Sequence, residues 1–450
     1  MPNAVRSAVA PVYLFACLVL GGSAQGIWQN MVLQLVGVAI LGWAAVAAID
    51  QPMRSSARWL LFLAVAAVLV VVLQLVPLPP GIWAHGIRSR IAEGFTILGR
   101  PVPSLPISLS PYESFSTLLC LIPPLAVFCA ITRLKACRAS WLAAAMLAGT
   151  VAGILLGALQ VAAPDSAWYL YLETNRGFAV GFFANADHMA SLLLITLPFV
   201  AALAAAGRTG PKHRYSALLT ILAAAVVLLL VGILLNGSLA GYTLVVPVIA
   251  ASLLVVLPSR KRLRPTIAAV GVLSVIAAVT VLSTSSIGGT RIGQHASSSV
   301  QSRKVILATT TKAIGDYMPL GSGLGSFLRI YRTYESPDAV SNEYVIHAHN
   351  DYAELVLELG VAGLVLILLF LAWWVVAVLA VWRSNIVNPF AAAGSIASAA
   401  LLVHSLVDFP LRTAALSACF AMCLALLGEP RLPDRQEPGE LRPSRHIVIG

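Results

Sequence analysis

Long apolar runs alternate with short polar segments along this chain, and the runs are too long for the strands or helices of a soluble core. About 20 apolar residues cross a bilayer as an α-helix. That length predicts twelve membrane-spanning helices, near residues 8–22, 27–49, 59–76, 114–131, 140–162, 186–206, 217–235, 242–258, 266–283, 351–381, 389–407 and 411–428. Gly22-Ser23-Ala24 resembles a cleavage site, so a cleavable signal peptide is an alternative for the first span. The pattern predicts an all-α, polytopic membrane protein.

The composition supports one integral membrane domain over residues 1–428. Hydrophobic residues make up 59% of the chain and charged residues 10%, whereas soluble domains carry about 25% charged residues. A cytosolic enzyme, a secreted domain and a disordered chain are therefore excluded. The polar, Pro- and Arg-rich segment 429–450 is expected to be a disordered cytoplasmic tail. The six cysteines show no disulfide framework and no metal-ligand spacing.

The positive charge marks membrane topology. The net charge is +11, but Lys and Arg cluster in short segments between apolar runs, which is typical of topology determinants and does not indicate nucleic acid as a partner. Most of the basic residues face the cytoplasm if both termini do. The segments 77–113, 163–185 and 284–350 then face outward, and the last of these is a long periplasmic loop.

Candidate chemistry is concentrated in that long loop. It closes with His347-Ala348-His349-Asn350-Asp351, directly before the tenth span, and it contains Arg303-Lys304 and a glycine run over 321–325. Histidine titrates near neutral pH and can take a proton from a hydroxyl group. Arginine binds phosphate oxygens in bidentate fashion. At a membrane–water boundary these residue types suit a substrate with one lipid end and one soluble end.

Plainer interpretations stay open for each of these residues. His349 can simply cap or anchor the tenth span, and His347, His349 and Asp351 can serve as metal ligands. Arg303 and Lys304 can be ordinary charges of a solvated loop. The glycine run lacks the Gly-Lys-Ser/Thr ending of a phosphate loop, which favours a tight turn. The pairs Asp187-His188 and His404…Asp408, at the ends of two spans, fit a functional role or helix packing equally well.

Several motifs, in order, resemble the O-antigen ligase family. His349-Asn350, nine further residues and Gly360-Val361-Ala362-Gly363 are similar to its His-Asn-x9-Gly-x-x-Gly pattern. Arg303 followed by Gly321-Ser322-Gly323-Leu324-Gly325-Ser326-Phe327 resembles a second stretch. The segment Gly181-Phe182-Phe183-Ala184-Asn185-Ala186-Asp187-His188-Met189-Ala190 resembles a third, and the segment from His404 to Arg412 is also similar to members tied to polysaccharide export. In one place this chain departs from the family: members often carry an Arg where Leu239 stands.

The resemblance implies a glycosyltransferase that moves a glycan from an undecaprenyl pyrophosphate donor to an acceptor hydroxyl at the periplasmic face of the bacterial inner membrane. It implies a metal-independent, inverting reaction without cofactors. His349 becomes the candidate catalytic base. Candidate substrate-binding residues are Arg303, Arg176, Asn350, His347 and Lys304, and Arg291 is a further cation that could replace the missing Arg.

The family resemblance leaves the acceptor open. It is the lipid A core for a ligase, another glycan chain for a polymerase, or a protein hydroxyl for an O-oligosaccharyltransferase. We favour ligase or polymerase because no protein-binding domain follows the last span. A transporter or flippase of the same lipid-linked glycan is the alternative from another class, and it would place charges at mid-membrane.

Overall fold

The computed structural model describes residues 3–23, 27–47, 53–134, 137–208, 210–257, 291–337 and 345–429. Within these ranges there is no β-strand, and one isolated antiparallel bridge pairs Leu78 with Leu105. The helices are α1 (Asn3–Leu20), α2 (Trp28–Val46), α3 (Ser55–Leu75), α4 (Pro80–Trp83), α5 (Ser89–Ile97), α6 (Pro111–Leu119), α7 (Ile122–Leu134), α8 (Ala139–Ala162), α9 (Ala186–Gly207), α10 (Lys212–Asn236), α11 (Leu239–Val256), α12 (Arg291–Tyr317), α13 (Phe327–Tyr334), α14 (Asp351–Arg383), α15 (Pro389–His404) and α16 (Ala414–Gly428). The predicted all-α class is confirmed.

Eight candidate spans in the described part of the chain are long and apolar enough to cross a membrane. They are Trp28–Val46, Ser55–Leu75, Pro111–Leu134, Ala139–Ala162, Ala186–Gly207, Lys212–Asn236, Leu239–Val256 and Asp351–Arg383. Three shorter apolar helices, Val5–Leu20, Pro389–His404 and Ala414–Gly428, coincide with three further predicted spans. The predicted span near 266–283 and the tail from residue 430 lie outside the described residues. The multi-pass character is confirmed, whereas the number twelve and the orientation stay predictions.

The fourth predicted span, 114–131, consists of two helices. Helix α6 ends at Leu119 and α7 begins at Ile122. Pro123 and Pro124 follow directly. A proline has no backbone N–H and its ring clashes with the preceding turn, so a continuous helix is interrupted here. Before the interruption, α6 contacts the glycine run, because Ser114 donates to the Leu324 carbonyl at 2.6 Å.

The first span is part of the helical bundle. Leu14, Cys17 and Leu18 of α1 are fully buried, and the helix packs against α7, α8 and α16. The residue after the helix, Gly21, leaves no room for a side chain beside Ala414 at the start of α16. This packing favours a membrane-spanning helix over the alternative of a cleavable signal peptide.

Helix α9 lies at the centre of the bundle. About 83% of its apolar window is buried inside the protein, while the other candidate spans bury at most 44% and leave the rest for lipid. It packs against α8, α10, α11 and α15. Asn185 caps its first turn by accepting a hydrogen bond from the Asp187 amide at 2.8 Å. The ionisable residues at this end of α9 are therefore held within the protein.

The segment between α11 and α14 is largely helical where it is described. Helices α12 and α13 form a cap over one end of the bundle. The cap has an apolar core that includes the first turns of α14; its buried members are Ile306, Ala313, Phe327, Ile330, Tyr331, Ala348 and Leu357. This core anchors the cap to the start of α14, where the His-Asn motif lies.

Candidate active site

The His-Asn motif forms the junction between the cap and α14. Asn350 is the N-cap of α14, and its Oδ1 accepts a hydrogen bond from the Ala353 amide at 2.9 Å. Its Nδ2 donates to the Leu406 carbonyl at 3.0 Å. Asn350 therefore joins the start of α14 to the segment that follows α15. These contacts are structural, and the predicted contact of Asn350 with substrate stays a prediction.

His349 directly precedes this cap in a strained conformation. Its φ of +49° is the only positive value at a non-glycine residue in the described part of the chain. The left-handed region is disfavoured for residues with a Cβ, and such strain is often found at functional sites. The side chain is 24% exposed, so the imidazole stands at an opening and not in the core.

A buried carboxylate orients the His349 imidazole. Nδ1 of His349 lies 3.0 Å from Oδ1 of Asp408, which is fully buried. Burial alone would raise the pKa of Asp408, but the hydrogen bond from His349 and the nearby His188 and Arg303 hold that pKa well below its usual range. An ionised carboxylate only accepts hydrogen bonds, so Nδ1 carries the proton. The lone pair of the neutral ring is then on Nε2, which has no hydrogen-bond partner among the described residues.

Arg303 stands in an ion pair on α12. Its Nη2 donates to Asp187 Oδ2 at 2.7 Å, and each side chain is 18% exposed. Burial would lower the pKa of Arg303, but Asp187 and Asp408 raise it above its ordinary value. The expectation of a charge in a solvated loop is wrong, because α12 packs Arg303 against the start of α9. A guanidinium has five N–H donors, so Arg303 keeps several for a ligand.

Leu239, which stands where members of the family often carry an Arg, lies next to a residue that contacts the Arg303–Asp187 ion pair. Leu239 begins α11, and the preceding residue, Ser238, donates a short hydrogen bond to Asp187 Oδ1. Asp187 thus bridges Ser238 and Arg303. Through Asp187 the guanidinium of Arg303 is linked to Ser238, the residue before the position where members of the family often carry an Arg, so Arg303 is the best placed of the candidate cations whose side chains are described.

The remaining candidate cations whose side chains are described, Arg176 and Lys304, are not gathered at this pair. Arg176 is exposed, and its contacts are a 3.5 Å hydrogen bond to the Pro164 carbonyl and the ring of Tyr169 at 5.3 Å. Lys304 is exposed on α12 next to Arg303. The side chain of Arg291 lies outside the described residues. Substrate binding by Arg176 and Lys304 stays a prediction, without support from the geometry.

His347 is oriented by a second carboxylate. Its Nδ1 lies 2.8 Å from Oε1 of Glu354, and Oε2 of Glu354 accepts the Ala348 amide at 2.7 Å. Glu354 also lies 3.3 Å from Nη2 of Arg412, whose other nitrogens reach Asp351 and Glu358 at 3.4 Å each. Sequence reasoning missed this network.

A usable signal for it was nevertheless present. Asp351, Glu354 and Glu358 recur at intervals of three and four residues, which places them on one face of a helix. Carboxylates inside an apolar span need a partner, and an Arg elsewhere was the natural choice. Only the fold shows that the partner is Arg412.

Phe409 separates the two imidazole–carboxylate pairs. Its ring centroid lies 4.4 Å from that of His347 and 5.0 Å from that of His349. A third imidazole, His188, also lies at 5.0 Å, and its Nε2 is 3.8 Å from Oδ2 of Asp408. His404 is buried nearby and shares a 2.6 Å hydrogen bond with Ser191 of α9. The polar residues that end α15 and begin α9 thus form one buried cluster behind His349.

The glycine run forms a tight turn against a kink in α14. Gly321, Gly323 and Gly325 have φ values of +75°, +104° and +75°, and Gly360 interrupts α14 with a φ of +62°. A Cβ at Gly360 would lie 2.1 Å from the Pro319 carbonyl oxygen. Only glycine permits this approach, because it lacks a Cβ. Gly321 and Gly360 therefore form one close contact that holds the cap on α14, while Gly323 and Gly325 pack against Ser108 and α6.

The alternative of a metal site at His347, His349 and Asp351 does not fit the geometry. Each of the three side chains faces a different partner: Glu354, Asp408 and Arg412 respectively. In the ranges that the structure describes, no group of three or more His, Cys, Asp or Glu side chains is arranged to hold a metal ion.

Comparison with known proteins agrees with the motifs. Residues 224–368 match the model of a family described as O-antigen ligase, which confirms the resemblance read from the sequence. The matched segment runs from α10 into α14 and contains Arg303, the glycine turn and His349. Asp187, Asp408 and Arg412 lie outside it. No curated protein matches the chain.

Proposed function

We propose that the protein is a membrane glycosyltransferase of the ligase or polymerase type that uses a lipid-linked glycan, because residues 224–368 match the O-antigen ligase family model. The donor is an undecaprenyl pyrophosphate-linked oligosaccharide, and the acceptor hydroxyl belongs to lipid A core or to another glycan chain. The reaction takes place at the periplasmic face of the bacterial inner membrane.

The observation that carries the proposal is the pairing of His349 with Asp408. A fully buried carboxylate holds Nδ1 of an imidazole at 3.0 Å, and the ring is 24% exposed at the edge of an apolar bundle. This arrangement fixes the tautomer whose Nε2 accepts a proton, and Asp408 stabilises the imidazolium that forms. Asn350, and not His349, caps α14. Helix capping therefore does not explain why the His349 ring is held against Asp408.

The donor's leaving group fits the Arg303 side of the site. Asp187 holds the guanidinium in place through one nitrogen, which leaves other N–H groups for pyrophosphate oxygens. Such contacts strengthen as negative charge develops on the departing diphosphate. Asp187, which pairs with Arg303, adjoins His188, whose Nε2 lies 3.8 Å from Oδ2 of Asp408, so the two parts of the site are neighbours.

The reaction is a single displacement. The acceptor oxygen forms a bond to the anomeric carbon of the donor while the bond from that carbon to the phosphate oxygen breaks. The electron pair of the broken bond goes to the diphosphate, and the acceptor proton goes to Nε2 of His349. Attack on the face opposite the leaving group inverts the anomeric configuration.

The distribution of charge supports an enzyme over a transporter. In the described chain, the buried ionisable residues His188, Glu354, Glu358, His404 and Asp408 lie at helix ends or in the first turns of α14, next to the cap. A path for a glycan across the bundle would need polar groups at several depths. A protein acceptor stays the alternative within the family.

Substitution of His349 tests the proposal. Purified protein is given an undecaprenyl pyrophosphate-linked oligosaccharide with lipid A core, free glycan or peptide, and the mass of the product identifies the acceptor. General-base catalysis contributes about 10²–10⁴-fold, so His349→Ala and His349→Gln should both lose about that factor. His85→Gln is the matched control, because His85 is exposed and bonded only to the nearby Gly81 carbonyl. Near wild-type transfer by His349→Gln would remove the proton-transfer role.

A further inference from the structure

We propose that Glu354 and Arg412 are positioning residues that hold the His349 imidazole against Asp408. The inference rests on the proposed function and extends it to two side chains that need not touch substrate. Glu354 is one of the nine unspecified residues in the His-Asn-x9-Gly-x-x-Gly pattern, and Arg412 lies outside the segment that matches the family model.

Glu354 holds the backbone just before His349. It is 1% exposed, and its two oxygens accept separate hydrogen bonds, from His347 Nδ1 at 2.8 Å and from the Ala348 amide at 2.7 Å. The amide of Ala348 belongs to the residue next to His349, so this contact limits the motion of His349 on its N-terminal side. Asn350 limits it on the other side by capping α14.

Arg412 holds Glu354 and joins α14 to the segment that carries Asp408. The guanidinium contacts Glu354 at 3.3 Å and both Asp351 and Glu358 at 3.4 Å, and its side chain is 15% exposed. Asp408 and Arg412 are four residues apart on this segment. When Arg412 is anchored to α14, Asp408 is therefore placed beside the imidazole as well.

Other contacts between the same two segments support this role. The Asp351 amide donates to the Ser405 carbonyl at 3.0 Å, and Ser405 Oγ donates to Asp351 Oδ2 at 2.8 Å. Together with the bond from Asn350 to the Leu406 carbonyl, they bind the start of α14 to the segment after α15. The ion pairs of Arg412 close this interface beneath the two imidazoles.

The conformation of His349 explains why such anchoring is needed. A left-handed φ at a residue with a Cβ is unfavourable and persists only where the surroundings determine it. If Glu354 or Arg412 is lost, we expect His349 to relax towards an ordinary φ and its ring to move from Asp408. A displacement of about 1 Å in a catalytic group can cost about 10²-fold in rate.

The test combines transfer kinetics with a chemical measurement that does not need transfer. The variants are Glu354→Gln, whose amide cannot accept both hydrogen bonds, and Arg412→Met, which removes the charge. We expect kcat to fall about 30- to 100-fold with KM within about threefold, since the lost geometry affects the reacting step. Arg412→Lys should recover part of the loss, because an ammonium cannot contact three carboxylates as a planar fork does.

Carbethoxylation of His349 by diethyl pyrocarbonate, followed by peptide mass spectrometry, is the second measurement. A loosened loop exposes the ring, so the rate at His349 should rise at least about threefold in both variants. Glu429→Gln is the matched control, because it breaks the ion pair between Glu429 and Arg54. Arg54 directly precedes α3, whereas the α3 residue that contacts the Glu358 carbonyl, Gln74, lies at the opposite end of that helix. Its kinetics and modification rate should equal those of wild type.

Each outcome decides between the two proposals. Wild-type kcat and a wild-type modification rate in Glu354→Gln and Arg412→Met would overturn the positioning role. If these variants fail to accumulate in the membrane, the same two measurements on Glu354→Asp and Arg412→Lys replace them. If wild-type protein transfers no glycan, the proposed function fails, while the modification rates still test the positioning of His349.

Discussion

Asp408→Asn is the substitution that most directly tests how the candidate site works. It keeps the size of the side chain and removes the negative charge that faces Nδ1 of His349 at 3.0 Å. Asp408 is fully buried, so neither solvent nor an exposed neighbour can substitute for the carboxylate. We expect transfer to fall strongly while the protein remains in the membrane.

The magnitude follows from one charge-assisted hydrogen bond. Such a bond contributes about 1.5–3 kcal/mol, and the imidazolium formed in the reaction needs it more than the neutral ring does. Its loss in the transition state corresponds to about a 10- to 150-fold decrease in kcat. The effect should lie at the upper end, because the amide of Asn can donate to Nδ1 of His349. The ring proton then moves to Nε2, where no lone pair remains to accept the acceptor's proton.

The assay measures initial transfer rates with donor and acceptor each varied in turn. Asp316→Asn is the matched control, since Asp316 also accepts one hydrogen bond, from Tyr334 at 2.8 Å, but lies at the exposed end of α12. A kcat for Asp408→Asn within about threefold of wild type, at normal membrane levels, would show that the carboxylate does not assist His349.

The pH dependence of stability provides a separate test of Asp408. Its pKa in the folded protein is depressed, with burial opposed by the hydrogen bond from His349 and by the charges of His188 and Arg303. A carboxyl group of this kind stabilises the fold above its unfolded pKa of about 3.9, and the contribution disappears as the pH falls through the folded value. The Tm difference between wild type and Asp408→Asn should therefore be constant from about pH 5 to 8 and shrink only below about pH 4.

Three further predictions concern the rest of the molecule. Arg303→Gln should lower transfer about 10- to 150-fold, and Arg303→Lys should recover part of this loss. Arg303→Gln also leaves Asp187 without its partner, so any loss of protein level should be restored by adding Asp187→Asn, while transfer should stay low. Quantitative blotting measures the protein level and rate assays measure transfer. Gly360→Ala should lower Tm, since a left-handed residue with a Cβ costs about 1–2 kcal/mol before the clash with the Pro319 carbonyl is added; Gly315→Ala, where a Cβ meets open space, is its control. An alkaline-phosphatase fusion after Gly315 should be active and one after Lys212 inactive, and the reverse pattern would contradict the predicted topology.

The length of the apolar runs was sufficient to predict the bundle, but not its interruptions. A span of about 20 apolar residues is visible without any tertiary information, so each described candidate span coincides with a prediction. The break after Leu119 depends on two adjacent prolines within an apolar run. The full extent of α12 was hidden for another reason: this helix is polar along much of its length, and it is stabilised by the cap core around Ile306 and Phe327.

Local motifs were sufficient to propose His349 and Arg303 as site residues, but not to identify the residues that contact them. Their importance was suggested by residue type and by the resemblance, which are properties of short segments. Asp408, Glu354 and Arg412 act on them only because the segment after α15 docks on the start of α14. No spacing within either segment shows that contact. Arg176, by contrast, had the right chemistry, but its exposed loop directs it to Pro164 and Tyr169.

The distribution of these contacts also shows which segments form the candidate site. The segment that matches the family model contains both His349 and Arg303, yet the carboxylates that face them, Asp408 and Asp187, lie on opposite sides of it in sequence. A buried charge without its partner is costly, so each motif residue depends on a helix outside the matched segment. The site therefore requires the central helix α9, the cap, the start of α14 and the segment after α15 together. This dependence explains why the polar residues at the ends of α9 and α15, which fit helix packing equally well in the sequence, belong to the same cluster as the candidate base.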